Sequence, residues 1–229
     1  MAESSNFQWQ VVVPHLNKVV IWGAGDQARV NIPILQSLNI EVLAFIDESD
    51  GISSPIFGVP LYSNLEDFQE VFPKILCHEI GSVIAIGNPY GAKRTEYSKV
   101  LKNAGVEPLN FADPSAKIRR DVVFSTGLQV MSGATINNSV NIAENCIVNT
   151  NALVEHDCIL DSGVEVGPGA ILTGRVTVGR NSWIGAGAVV LPRLTIGENS
   201  IVGAGAVVTR DIPANVIVVG TPARILRLV

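Results

Sequence analysis

Val148-Asn149-Thr150-Asn151-Ala152-Leu153-Val154-Glu155-His156-Asp157-Cys158-Ile159-Leu160 places a large apolar residue at every sixth position, Val148, Val154 and Leu160. A small residue, Ala152 or Cys158, follows four places after each of the first two. The rhythm continues in both directions. Counting back by sixes gives Ile142, Ile136, Val130, Phe124 and Ile118; counting forward gives Val166, Leu172, Val178, Ile184, Val190, Ile196, Val202 and Val208. Helix faces recur at about 3.6 residues and strand faces at 2, so a sustained period of six requires a short strand and a tight corner, repeated three times per coil of a parallel β-helix. Residues eighteen apart then stack on successive coils, which makes position in space computable from residue number.

Upstream of the coils the texture changes. Val19-Val20-Ile21-Trp22 reads as a buried strand that enters a glycine turn, with a helix from Gln27 to Ser37. Glu41 to Asp47 and Ser82 to Gly87 read as further strands, Leu61 to Phe72 contains a helix, and Pro89 to Gly105 is a helix stopped by Gly105. Alternation of this kind predicts a small parallel α/β sheet. Asp113-Pro114-Ser115 marks the junction, because Pro disfavours regular structure in the residue before it. The expected organisation is an N-terminal extension over 1–17, a Rossmann-like domain over 18–112, and a β-helix with a C-terminal tail over 113–229.

Composition excludes several classes. The 229 residues are 47% hydrophobic and 16% charged, with a formal net charge of -5. Asn, Asp, Arg, Pro and Gly interrupt the apolar C-terminal half too often for a membrane span of about 20 residues. The first ten residues lack the basic and apolar parts of a secretion signal, which predicts a cytoplasmic protein. An acidic chain without a basic run disfavours nucleic acid. Arg175, Arg180, Arg193, Arg210, Arg224 and Arg227 nonetheless give the far end a positive excess, suited either to solvated corners or to a phosphate-bearing ligand. Cys146 and Cys158 fall on the small-residue column and Cys77 lies elsewhere, so neither a disulfide framework nor a metal spacing is present.

Two places carry chemistry. Gly23-Ala24-Gly25-Asp26 after the first strand is a partial dinucleotide fingerprint, with Ala28 at the place of the third glycine and Asp47 near the expected acidic ribose ligand. Such a turn can hold NAD or a sugar nucleotide, or Gly25 can simply permit a tight turn. His156 is the one histidine inside the coils; His15 and His78 lie outside them. A zinc hydrolase of the coiled type needs three imidazoles, so a metal mechanism is not expected. As third residue of its hexad, His156 faces outward at a corner between Glu155 and Asp157, which raise imidazole basicity and can fix its tautomer, as a general base requires. The alternative is an ordinary exposed histidine. Gly174, eighteen residues on, supplies a corner without a side chain, whose N–H can face a developing oxyanion or merely complete a turn.

The motif Asn149-Thr150-x-Ala152-x-Val154-Glu155-His156-Asp157-Cys158, the near copies Ile184-Gly185-Ala186-Gly187-Ala188 and Val202-Gly203-Ala204-Gly205-Ala206, and the closing Gly220-Thr221-Pro222-Ala223-Arg224 resemble the left-handed β-helix sugar acyltransferases. That family includes sialic-acid O-acetyltransferases and N-acetyltransferases of nucleotide-linked amino sugars. Gly23-x-Gly25, Phe45-Ile46-Asp47 and Ile86-Gly87-Asn88 extend the resemblance to the N-terminal part. The resemblance implies a left-handed coil, a homotrimer with sites between neighbouring β-helices, acetyl-CoA along the coils, and a role in glycan biosynthesis. It makes His156 the base, with Asp157 or Asn149 orienting it and the Gly174 N–H steadying the thioester carbonyl. Gly23, Gly25, Asp26, Asp47, Gly87 and Asn88 would hold the nucleotide; Ala186, Ala204 and Arg224 would lie along CoA.

The chain departs from that pattern at three positions: Glu165 stands where many relatives have a second histidine near the acyl donor, Asp26-Gln27 replaces a Gly-His pair, and Asp113 replaces a histidine before Pro-Ser-Ala. Glu165 is expected to meet the donor through water. The expected activity is N-acetylation of a nucleotide-linked amino sugar. Its rivals are sugar O-acetylation, a silent nucleotide-binding trimeric scaffold, and a sugar-1-phosphate nucleotidyltransferase, whose longer domain and Thr-Arg turn are missing.

Overall fold

The computed structural model describes residues 16–72 and 80–229. The expected extension falls almost wholly outside the described residues, as do His15, Cys77 and His78. Strand β1 (Lys18–Trp22), helix α1 (Asp26–Ser37), β2 (Glu41–Ile46), β3 (Leu61–Tyr62), α2 (Leu65–Val71), β4 (Gly81–Ile84), α3 (Gly91–Asn103) and β5 (Glu107–Pro108) form the first part. The five strands make a parallel sheet in the order β3-β2-β1-β4-β5. The strand order reverses between β1 and β4, and a crevice opens at their C-terminal ends, where α/β sheets bind ligands.

The rest is a parallel β-helix built mostly of two-residue strands on three faces, with eight, six and five strands; the eight-stranded face ends in the longer Val216–Val219 and the antiparallel Arg224–Leu228. Register confirms the eighteen-residue coil: Thr135 pairs with Leu153, and Leu153 with Ile171. Every member of the apolar column except the partly buried Phe124 is at most 1% exposed, and Ala152, Cys158, Ala170, Ser182 and Ser200 fill the core beside it. Corners force a left-handed backbone, which Asn and Asp tolerate better than most residues and Gly best. Asn151, Asp157 and Asn181 accordingly have φ of 54°, 58° and 58°.

The coils begin earlier than the apolar column. Phe111–Ala112 already pairs with Gln129–Val130, before Asp113-Pro114-Ser115. Phe111, Met131 and Ile147 share a core with Ala28, Ile32 and Leu35 of α1, so the eight-stranded face is the platform on which the α/β sheet sits. A relay of amides ties the two parts: Gln27 Nε2 donates to Asn31 Oδ1 at 3.1 Å, Asn31 Nδ2 to Gln129 Oε1 at 3.0 Å, and Gln129 Nε2 to the Ile84 carbonyl at 2.8 Å. Buried amides satisfied in this way fix the docking geometry. Among the described residues no helix is long and apolar enough to cross a membrane.

Candidate active site

The cleft at the sheet's C-terminal edge has a volume of about 810 Å3. The end of β1 and the turn after it (Trp22, Gly23, Gly25), the first residues of α1 (Asp26, Gln27), the segment after β2 (Asp47, Glu48, Ser49), the segment after β4 (Gly87, Asn88), and Lys93 and Tyr97 of α3 line it. All six residues singled out for the nucleotide are therefore brought together. Gly23 has φ of +104°, and a Cβ there would stand 2.5 Å from the Ala85 carbonyl oxygen, so only glycine fits. Gly25 has an ordinary φ of -87° and open space where its Cβ would be. A tight turn therefore does not require glycine at Gly25, whose bare backbone lines the cleft. Asp47 accepts from Ala24 N of the turn after β1 at 2.7 Å and from Ser49 N of its own loop at 2.9 Å. Glu48, Lys93, Trp22 and Tyr97 were missed by the motif reading. Only Lys93, a cation in the first turn of a helix next to Gly87-Asn88, carried a sequence signal.

The second locus is the edge between the six-stranded and five-stranded faces. His156 Nδ1 lies 2.9 Å from Asp157 Oδ2, and Arg175 Nε approaches the same oxygen at 3.4 Å. With Nδ1–H donating to a carboxylate, Nε2 is left as the basic nitrogen. Gly174 sits directly against it: a Cβ there would be 2.5 Å from His156 Nε2 and 2.6 Å from Cε1. The missing side chain thus makes room for the imidazole. The hydrogen bond from His156, with Arg175 adding to it, keeps the Asp157 carboxyl below the usual carboxylate range. Cys158, two residues on, is no alternative nucleophile, because burial pushes its thiol up to about 11.

Two expectations are corrected here. Within one chain it is Asp157 and not Asn149 that meets His156; Asn149 stands on the edge between the eight-stranded and six-stranded faces, where Nδ2 donates to Glu165 Oε1 at 3.1 Å and Oδ1 accepts from Thr150 N at 2.8 Å. Glu165 does not lie open to an acyl donor. It is on the eight-stranded face beneath α3, only 2% exposed, and its Oε2 is 3.6 Å from Arg94 Nη1. Arg94, itself buried, donates to the carbonyls of Ile86 at 2.8 Å, Asn145 at 2.9 Å and Gly163 at 2.8 Å, locking α3 to the coils. Burial raises the Glu165 carboxyl, while Arg94, Asn149 and Asn88 pull it back. A hexad count places Glu165 on an outward column but says nothing of what docks over that column.

Ala186 and Ala204 are exposed and stacked on the edge that carries Asn149, with Gly205 N donating to the Ala186 carbonyl at 2.8 Å. Arg224 is exposed on the strand Arg224–Leu228, which runs antiparallel to Val216–Val219. These residues flank the six-stranded face on the side opposite His156. Within one chain, His156 lines neither the cleft nor the edge that carries Ala186 and Ala204. Among the described residues no cluster of three His, Cys, Asp or Glu side chains could hold a metal ion.

Fold and corner together define an acyltransferase of the β-helix class. The "Bacterial transferase hexapeptide (six repeats)" family matches residues 175–210, and the "PglD N-terminal domain" matches residues 18–98. No curated protein matches the chain significantly. Among solved structures, a perosamine N-acetyltransferase from Caulobacter crescentus, in complex with CoA and GDP-perosamine, is 33% identical. Its TM-score is 0.84 over 93% of this chain and 98% of that one. The acetyltransferase domain of PglB from Neisseria gonorrhoeae, in complex with acetyl coenzyme A, is 28% identical with a TM-score of 0.82, over 92% of this chain and 100% of that one. WeeI from Acinetobacter baumannii is 28% identical with a TM-score of 0.77, over 91% and 99%. The chain belongs to the hexapeptide-repeat sugar acyltransferases, in the branch that carries a PglD-type N-terminal domain.

Proposed function

We propose that the protein transfers the acetyl group of acetyl-CoA to the amino group of a sugar carried on a nucleoside diphosphate, with His156 as general base. The observation that carries this reading is the His156 imidazole, held through Nδ1 by Asp157 with Nε2 turned to the bare corner of Gly174. An ammonium has no lone pair, so the base must take a proton before or as nitrogen attacks the thioester carbon. The ammonium gives one proton to Nε2, the new C–N bond forms as the C–S bond breaks, and the second nitrogen proton passes to the departing thiolate, so that CoA leaves as the thiol. The Gly174 N–H faces the oxygen that gains charge. The buried thiols of Cys146 and Cys158 favour direct transfer over an acyl-enzyme, since burial pushes them to about 12 and 11.

The cleft bound by Gly23, Gly25, Asp26, Asp47, Gly87 and Asn88 holds the nucleotide. Acetyl-CoA runs beside Ala186, Ala204 and Arg224. Because these places and His156 stand on different edges of one coil, the site is completed between chains, and a homotrimer is the assembly that closes it. Transfer to nitrogen rather than oxygen is favoured by the perosamine N-acetyltransferase, whose complexes with CoA and GDP-perosamine were solved with and without replacement of a histidine.

The test is a thiol-release assay with acetyl-CoA and a panel of UDP-, GDP- and dTDP-linked amino sugars, with products checked by mass. Turnover of at least one, giving an amide, is expected. Inactivity on the whole panel alongside acetylation of a free sugar hydroxyl would replace this reading with O-acetylation.

A further inference from the structure

The nucleoside end of the cleft lies beyond the C-terminus of β2, where an acidic residue meets the ribose in sheets of this order. Asp47 fills that place, with both its oxygens engaged by backbone N–H groups. Glu48, the next residue, also lines the cleft but is held differently: the Tyr97 hydroxyl donates to its Oε2 at 3.0 Å. Tyr97 is itself fixed, stacked on Trp22 with ring centroids 4.4 Å apart and planes 19° from parallel, and Trp22 is buried in the sheet. Burial, and then the bond to Glu48, raise the Tyr97 phenol, so it remains the donor of this pair. Among the described residues no donor is bonded to Glu48 Oε1. The result is an exposed carboxylate held at one oxygen by Tyr97, lining the cleft one residue past the ribose position, with Ile52 also in the lining.

A carboxylate has about four lone-pair positions and no proton to give, so the base edge it faces must present donors. Guanine presents two side by side, N1–H and N2–H, which match the two oxygens of one carboxylate in parallel hydrogen bonds. Uracil and thymine present a single N–H between two carbonyl oxygens, which the carboxylate repels. Adenine and cytosine each offer an amino group beside a ring nitrogen that is an acceptor. Building on the reading of the cleft as a nucleotide-sugar site, we infer that Glu48, oriented by Tyr97, reads the guanine edge and that the sugar carrier is guanosine diphosphate.

The inference is tested by calorimetric titration of the full-length protein with GDP, IDP, UDP, dTDP and ADP, which needs no sugar and no acetyl-CoA. GDP is expected to bind about 10- to 100-fold more tightly than UDP, dTDP or ADP, the discrimination typical of one good bidentate pair. IDP keeps N1–H but lacks the N2 amino group, and it falls between them. Glu48→Gln replaces one oxygen with a donor, so it removes the preference of GDP over IDP while thermal stability stays near wild type. Tyr97→Phe keeps the carboxylate but frees it, and weakens GDP by a smaller factor. Tighter binding of UDP or dTDP than GDP, or GDP affinity unmoved by Glu48→Gln, overturns the guanine assignment and leaves the nucleotide reading standing. Failure of every nucleotide to bind overturns both.

Discussion

At the corner of His156 and at the joint of Arg94 the chain uses similar materials, a carboxylate beside an arginine, and obtains opposite behaviour. Asp157 and Arg175 have side chains 44% and 57% exposed, while those of Glu165 and Arg94 are 3% and 1% exposed. Water screens the first pair, so the arginine adds little binding and the carboxyl stays low and acceptor-only, ready to hold an imidazole. Water is excluded from the second, so burial raises the acid and each group depends on its partners. Residue type does not separate the exposed carboxylate from the buried one here; the solvent around it does.

The largest expected effect lies at the exposed corner. His156→Ala should lower kcat by about 10²- to 10⁴-fold, the usual contribution of a general base, with the melting temperature and oligomer size unchanged because the side chain is half exposed. Steady-state kinetics beside a thermal melt checks both halves of that statement. A kcat near wild type would remove His156 from the mechanism and leave the silent scaffold as the better account.

The next effect inverts the pattern. Arg94→Met leaves Glu165 without its counter-charge and three carbonyls without donors, so a loss of about 3–5 kcal/mol is expected. The matching change at the corner, Arg175→Met, should barely alter stability. Urea unfolding of the two variants side by side measures the contrast, and equal losses would mean that exposure is not what distinguishes the clusters.

Gly174→Ala comes third. Its φ is not among the positive values, so alanine suits the backbone, but the new Cβ meets His156 Nε2 and must push the ring aside. A displacement of about 1 Å at a base costs on the order of 10²-fold in kcat, with folding intact. Retained activity would show that the imidazole has another productive position.

The coils were legible because one residue in six repeats a single physical demand, burial on the inner side of a short strand, from Ile118 to Val208. Gly174 was legible for the same reason: a stack of eighteen residues put it against His156. What the sequence did not reveal is what leans on the outside of that stack. Glu165 and Asn149 occupy outward positions, and from the hexads alone either can face water, substrate or another domain. Only the docking of α3, through Arg94, decides for Glu165. Glu48 and Tyr97 were invisible because their pairing spans 49 residues and depends on where β2 and α3 end. The strand Phe111–Ala112 carried no hexad signal because it belongs to the shared core and lies before the column begins.

The smallest effect tests the buried cluster through pH. Burial raises the Glu165 carboxyl in the folded chain, so the native state binds that proton more tightly than the unfolded one. The stability it confers is therefore full below the ordinary glutamate value, about 4.3, and declines as pH rises through the raised value. Glu165→Gln cannot lose a proton and removes that decline while keeping an oxygen for Asn149. Melting curves of both proteins from mildly acidic to neutral pH should converge or cross, the variant gaining on the wild type as pH rises. Parallel curves would mean that Arg94 compensates the buried charge fully, and the contrast between the corner and the joint would then rest on accessibility without any difference in acidity.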